Sequence, residues 1–133
     1  MTLVQTARLL GIGHVELRVR DLEESVRFYE AVLGLTPAYD PFAGRNVVRC
    51  VADSDGGLSA FGVVLTRGLP SGLPPAGMDH LSFHVAGREE VDEIHQRALA
   101  VNARVTTPRN HDGNYQVYIF DPNGYKIEVA AHP

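Results

Sequence analysis

The 133 residues fit one domain and suffice for a real core. The net charge of −4 on an otherwise ordinary composition gives no attraction for nucleic acid or an anionic membrane surface. No apolar run is long enough to span a bilayer, and the start MTLVQTARLLGIG lacks the pattern of a signal peptide. The lone Cys50 rules out an internal disulfide, so the expected compartment is the reducing cytoplasm.

The first pattern is a strand over Ile12–Val19, with Val15, Leu17 and Val19 on one face and His14, Glu16 and Arg18 on the other. Asp21 then caps a helix, with Glu24 three residues on. Leu22, Val26, Tyr29 and Leu33 recur at helical spacing, and Gly34 ends the helix where positive φ is wanted. Strands are expected at Thr36–Tyr39, Val47–Ala52 and Leu58–Thr66, with a turn over Asp53–Gly57. Arg45 and Arg49 alternate on one strand, on a face that would be solvated or meet an anionic substrate.

A Pro/Gly-rich linker over residues 68–76 follows, and then the first pattern returns. Met78–Val85 alternates, with Leu81, Phe83 and Val85 on one face and His80, Ser82 and His84 on the other. A helix from Arg88 carries Val91, Ile94, Ala98 and Val101 on one side, with Asn102 as its C-cap. A strand near Arg104–Thr107 and a loop over Pro108–Gly113 lead to the last segment, NYQVYIFDPNGYKIEV. There Asp121-Pro122-Asn123-Gly124 has the chemistry of a tight turn. The resulting hairpin register sets Ile119 against Ile127, Val117 against Val129, and Tyr118 against Glu128.

His14 and His80 are 66 residues apart, and at that offset Leu17 matches Phe83, Val19 matches Val85 and Glu24 matches Glu90. The chain therefore reads as an α+β fold of paired βαβββ modules, about residues 9–67 and 77–131, in one domain. The apolar face of each sheet would lie under its helix, and the other faces would surround a cleft. His14 and His80 occupy equivalent places on polar faces, and Glu128 is a carboxylate on a strand, where Glu is disfavoured. Two imidazoles and a carboxylate form the facial set of a divalent metal with open positions. The repeat equivalent of Glu128 is Val64, so three protein ligands are expected.

The runs GHVELRVRDLEESVRFYEAVLGL, DHLSFHV and FDPNGYKIEV resemble the vicinal oxygen chelate superfamily over nearly the whole chain. That superfamily includes glyoxalase I, extradiol dioxygenases, fosfomycin-resistance enzymes, methylmalonyl-CoA epimerase and bleomycin-resistance proteins. The resemblance implies paired βαβββ modules, metal ligands at His14, His80 and Glu128, a small-molecule substrate and a homodimer; in small members the ligands come from one chain or from two. Glyoxalases and the epimerases usually add a fourth ligand, where this chain has Val64. Fosfomycin-resistance enzymes share the triad but carry a potassium loop that RNHDGNY matches poorly. Extradiol dioxygenases match best, which favours Fe(II), with Zn, Ni or Mn as alternatives. They imply Tyr118 as a hydrogen bonder to a substrate oxygen and His111 as the nearest acid–base histidine, although Arg109 aligns at that place. His84 and Phe120 share the polar faces and are candidate substrate-binding residues, while His95 and His132 read as surface residues. A glyoxalase-type lyase or isomerase and a non-enzymatic antibiotic binder are the alternatives to a dioxygenase.

Overall fold

The computed structural model describes residues 7–9, 11–38, 44, 46–52, 61–70 and 76–132. The order is β1 (His14–Val19), α1 (Leu22–Leu33), β2 (Thr36–Pro37), β3 (Val47–Val51) and β4 (Gly62–Arg67). There follow β5 (Leu81–Val85), α2 (Arg88–Ala100), β6 (Arg104–Val105), β7 (Arg109–His111), β8 (Asn114–Phe120) and β9 (Lys126–Ala131). One sheet runs β1-β4-β3-β2; the other runs β5-β9-β8-β6, with β7 also paired to β8. In each sheet the opening strand lies parallel to the closing one, β1 with β4 and β5 with β9. The two halves thus repeat one plan, each a sheet with one helix.

Local chemistry explains the elements. The Asp21 side chain accepts from the Glu24 amide at 3.0 Å, and Gly34 closes α1 at φ 68°. α2 has no side-chain cap at Gly87; Val101 is its C-cap and Asn102 follows in the left-handed region at φ 58°. The hairpin takes the expected register, with Ile119 opposite Ile127 and Tyr118 opposite Glu128. Gly124, at φ 95°, donates to the Asp121 carbonyl at 3.0 Å and closes the turn.

Several bounds differ from expectation. The first strand of each half starts later, at His14 and Leu81, so His80 stands just ahead of β5. The stretch read as a loop over Pro108–Gly113 contains β7, whose three residues are all exposed and polar and so give no apolar signal. The turn at Asp53–Gly57, Tyr39, Arg45 and residues 58–60 lie outside the described residues. Among the described residues, no helix is long and apolar enough to cross a membrane.

One core serves both halves. Leu17, Val19, Tyr29, Val32, Val63 and Leu65 of the first half join Val91, Ile94, Val117, Ile127 and Val129 of the second in a single apolar cluster. Burying each such side chain is worth about 1.5–3 kcal/mol. Polar bonds add direction: the Tyr29 hydroxyl donates to Asp121 at 2.7 Å, Asn123 donates to Ser25 at 3.1 Å, and the Arg20 amide donates to Asn123 at 2.9 Å. The β8–β9 turn is therefore gripped by α1 and the loop before it. Because both apolar faces cover this common core, the polar faces of the two sheets are on its outside.

Candidate metal centre

The polar face of the second sheet holds the built part of the site. Strand register puts Tyr118, Glu128 and Ser82 in one row across β8, β9 and β5. The Ser82 hydroxyl donates to Glu128 Oε1 at 2.7 Å, and the Tyr118 hydroxyl is a further hydrogen-bond partner of Glu128. Gln116 in turn donates to the Tyr118 oxygen at 3.2 Å. The second carboxylate oxygen, Oε2, faces His80 Nε2 at 3.9 Å. Burial works against charge on Glu128, but the bonds from Ser82 and Tyr118, with His80 and His132 nearby, outweigh it and hold the carboxyl below its usual range. Glu128 therefore stays an anion. The bond to Glu128 and partial burial push the Tyr118 phenol above its usual value, so its proton is retained.

His80 is fixed from behind. Its Nδ1 meets Asp79 Oδ2 at 2.6 Å. A carboxylate only accepts, so Nδ1 carries a proton, and Nε2 is the ring nitrogen turned toward Glu128. A carboxylate behind an imidazole is the usual support of a metal-ligating histidine. Ligand atoms each 2.0–2.1 Å from one ion at tetrahedral or octahedral angles stand about 2.9–3.4 Å apart, so the 3.9 Å gap closes by about 0.5–1 Å if the two share a divalent ion. His80 and Glu128 are thus a candidate ligand pair.

His14 is not with them. It lies exposed on β1, in the other sheet, opposite Gly62 of β4. Among the described residues no group of three or more His, Cys, Asp or Glu is placed to hold one ion. Among the described residues, the polar faces of the two sheets flank a shared core and do not enclose the expected cleft. Val64, the counterpart of Glu128, stands in the row of Arg49 and Glu16.

The other candidates separate. His111 sits on β7 opposite Asn114, four residues along β8 from Tyr118, and faces Asp112 at 3.3 Å. Arg109 is nearer, opposite Gln116, and its charge acts on Tyr118. His84 is exposed, with its ring 5.9 Å from that of His132, which meets Asn114 at 2.8 Å. His132, exposed as expected, is also near enough for its charge to act on Glu128. Phe120 is half-buried under the Arg104 guanidinium, 4.1 Å from its ring centre, while Lys126 stands 4.3 Å over the Tyr118 ring. His95 is half-buried on α2. Sequence reasoning missed Ser82 and Asp79 as supports. Their signals were available: Ser82 alternates with His80, and Asp79 precedes it directly.

Residues 11–129 match the Glyoxalase/Bleomycin resistance protein/Dioxygenase superfamily. The uncharacterized protein YqjT of Bacillus subtilis is 27% identical over 129 residues, covering 89% of this chain and 96% of its own length. The metallothiol transferase FosB of Lysinibacillus sphaericus is 24% identical, covering 89% of this chain and 79% of its own length. A glyoxylase/bleomycin resistance protein/dioxygenase domain from Frankia sp. EAN1pec superposes with a TM-score of 0.76 at 25% identity, covering 95% of this chain and all of that one. With paired sheet-and-helix halves and a family match over nearly its whole length, the chain belongs to the Glyoxalase/Bleomycin resistance protein/Dioxygenase superfamily.

Proposed function

We propose that this chain is a divalent-metal enzyme working as a homodimer. His14 of one protomer completes a site begun by His80 and Glu128 of the other, and the substrate is a small molecule engaged through neighbouring oxygens. The observation that carries this reading is the prepared pair: Glu128 held charged by Ser82 and Tyr118, facing His80 whose far nitrogen is anchored on Asp79. His14, the repeat partner of His80, is exposed on an outward face where a second chain brings it to that pair. A divalent ion held there supplies Lewis-acid polarisation and open positions for substrate oxygens. The chain does the rest. Ser82 and Asp79 fix the ligand geometry, and Tyr118 presents its hydroxyl on the row of Glu128, in reach of a substrate oxygen.

The first specific reading is extradiol-type cleavage of a catechol-like substrate with Fe(II), supported by Tyr118 beside Glu128. The second is addition of a thiol or water to a small electrophile with Mn or another divalent ion. It is favoured by Arg109, which sits opposite Gln116 where the first reading wants an acid–base histidine, and by the similarity to a metallothiol transferase. A glyoxalase-type reaction is the weaker reading, because Val64 occupies the place of a fourth ligand.

The deciding experiment mixes two defective chains. His14→Ala and Glu128→Ala homodimers each lack a ligand at both sites. Re-formed together, half of the dimers are mixed and each carries one whole site, so about a quarter of wild-type metal content and turnover returns. No recovery sinks the shared site, and a wild type that takes up no metal sinks the enzyme in favour of a binder. Catechol cleavage under air with Fe(II), against thiol addition to fosfomycin with Mn(II), separates the two chemistries.

A further inference from the structure

The two halves differ at one row in a way that specifies the substrate. In the second sheet the row is Tyr118, Glu128, Ser82; in the first it is Arg49, Val64, Glu16. His80 precedes Ser82 by two residues, as His14 precedes Glu16. Arg49 is thus the counterpart of Tyr118, on the sheet that contributes His14.

The guanidinium of Arg49 does not stand away from the sheet. It lies across Gly62 of β4, the residue paired with His14. A Cβ added at Gly62 would come within 2.8 Å of Arg49 Nε and 3.3 Å of one terminal nitrogen. A Cβ there would make the flexible Arg49 arm shift. Gly62 is the place where the guanidinium rests closest to the strand backbone. The floor beside it is Val64, nearly buried at 8% exposure, so the first half has no carboxylate at the place Glu128 takes in the second. Glu16 is the row's anion, on a strand whose backbone lies about 10 Å from that of Arg49 with Val64 between them.

We infer that Arg49, seated on Gly62 beside His14, recognises an anionic oxyacid group, a carboxylate or phosphonate, on the substrate. This rests on the shared metal site proposed above. A neutral pair of vicinal oxygens needs no cation besides the metal. A guanidinium held flat matches the two oxygens of an oxyacid and discriminates it from a neutral group. Its five donors allow such a bond beside the contacts that Arg49 makes within the chain. Lys126, over the Tyr118 ring on the opposite sheet, gives the closed site a second cation. Arg49 touches the substrate, not the ion, so it sets which chelating molecule is accepted.

The test compares two chelators on Co(II)-loaded protein by the shift of the cobalt absorption bands. Phosphonoformate carries the oxyacid group, and acetohydroxamate is a chelator without one. Arg49→Gln should weaken phosphonoformate about 10- to 100-fold while acetohydroxamate stays within about twofold. Gly62→Ala keeps the charge but shifts it, and should reproduce only part of that loss, since the flexible arm can settle nearby. Arg49→Lys should fall between, as a cation without the fork. Equal weakening of both chelators in Arg49→Gln, or no change in either, overturns the role of Arg49. Wild-type protein that takes up no cobalt overturns the metal site and the inference with it. Cobalt uptake with unselective chelator binding overturns the inference alone.

Discussion

The two sheets share a backbone plan and a core but carry different work on their outer faces. The second has a closed network: Gln116, Tyr118, Glu128 and Ser82 joined by hydrogen bonds, with His80 braced by Asp79. The first has an exposed imidazole, a seated guanidinium and Val64 where the network would centre. The inward sides are alike because both fill one core. The outward sides differ, Tyr118-Glu128-Ser82 against Arg49-Val64-Glu16. On the proposed reading, one half prepares the ligands and the other completes and selects.

The largest effect should come from breaking the prepared half. His80→Ala should lower cobalt or manganese affinity by more than about 100-fold, beyond the 10- to 100-fold known for lost supporting residues. His14→Ala should match it only under conditions where chains pair; dilution to monomer should erase the difference between His14→Ala and wild type. Equal affinity loss at every concentration would place all three ligands in one chain. Ser82→Ala comes next, at about 10- to 100-fold in metal affinity, because Glu128 then loses the donor that fixes Oε1. The matching change in the first sheet, Glu16→Ala, should leave metal affinity unmoved.

The sequence exposed the inner faces and the caps and hid the meeting of the outer faces. Period-two alternation defines which residues share a face, so the register of Tyr118 with Glu128 followed from Ile119, Ile127, Val117 and Val129 alone. Asp21 and Gly34 act locally and were equally legible. His14 was different. Alternation says which side of β1 it takes, but not where that side points once two sheets share a core. That depends on long-range polar bonds such as Tyr29 to Asp121, which no periodicity encodes. β7 was hidden for another reason: Arg109, Asn110 and His111 are all exposed, so no buried face marks the strand. His111 was thus placed by its neighbourhood in sequence, while Arg109 holds the position nearer Tyr118.

The join between the halves is the next place to press. Tyr29 is buried, its phenol pushed well above the ordinary value by burial and by the adjoining Asp121 carboxylate. A group whose pKa is raised on folding contributes fully below its unfolded value, near 10 for tyrosine, and that contribution is lost as pH climbs through the folded value. The protein should therefore lose stability above about pH 10, measured by chemical denaturation across pH. Tyr29→Phe should cost about 1–3 kcal/mol at neutral pH and flatten that alkaline decline. An unchanged alkaline slope would mean that another group governs it.

The smallest effect tests how alike the two helices are. α1 is capped by Asp21, whereas α2 begins at Gly87 with no side-chain bond. Asp21→Ala should cost about 0.5–2 kcal/mol. Gly87 is extended, at φ −158° and ψ −178°, a backbone that any residue adopts. Gly87→Ser would set Ser three residues before Glu90, the reciprocal pattern in which hydroxyl and carboxylate each satisfy a free amide. A Cβ at position 87 meets only the end of the Glu90 side chain, at 3.2 Å, and that side chain can turn. Serine replacing glycine as a cap should gain a few tenths of a kcal/mol, about 1–2 °C in melting temperature. A drop in melting temperature would show that Glu90 cannot move, and that α2 starts with Gly87 because of crowding.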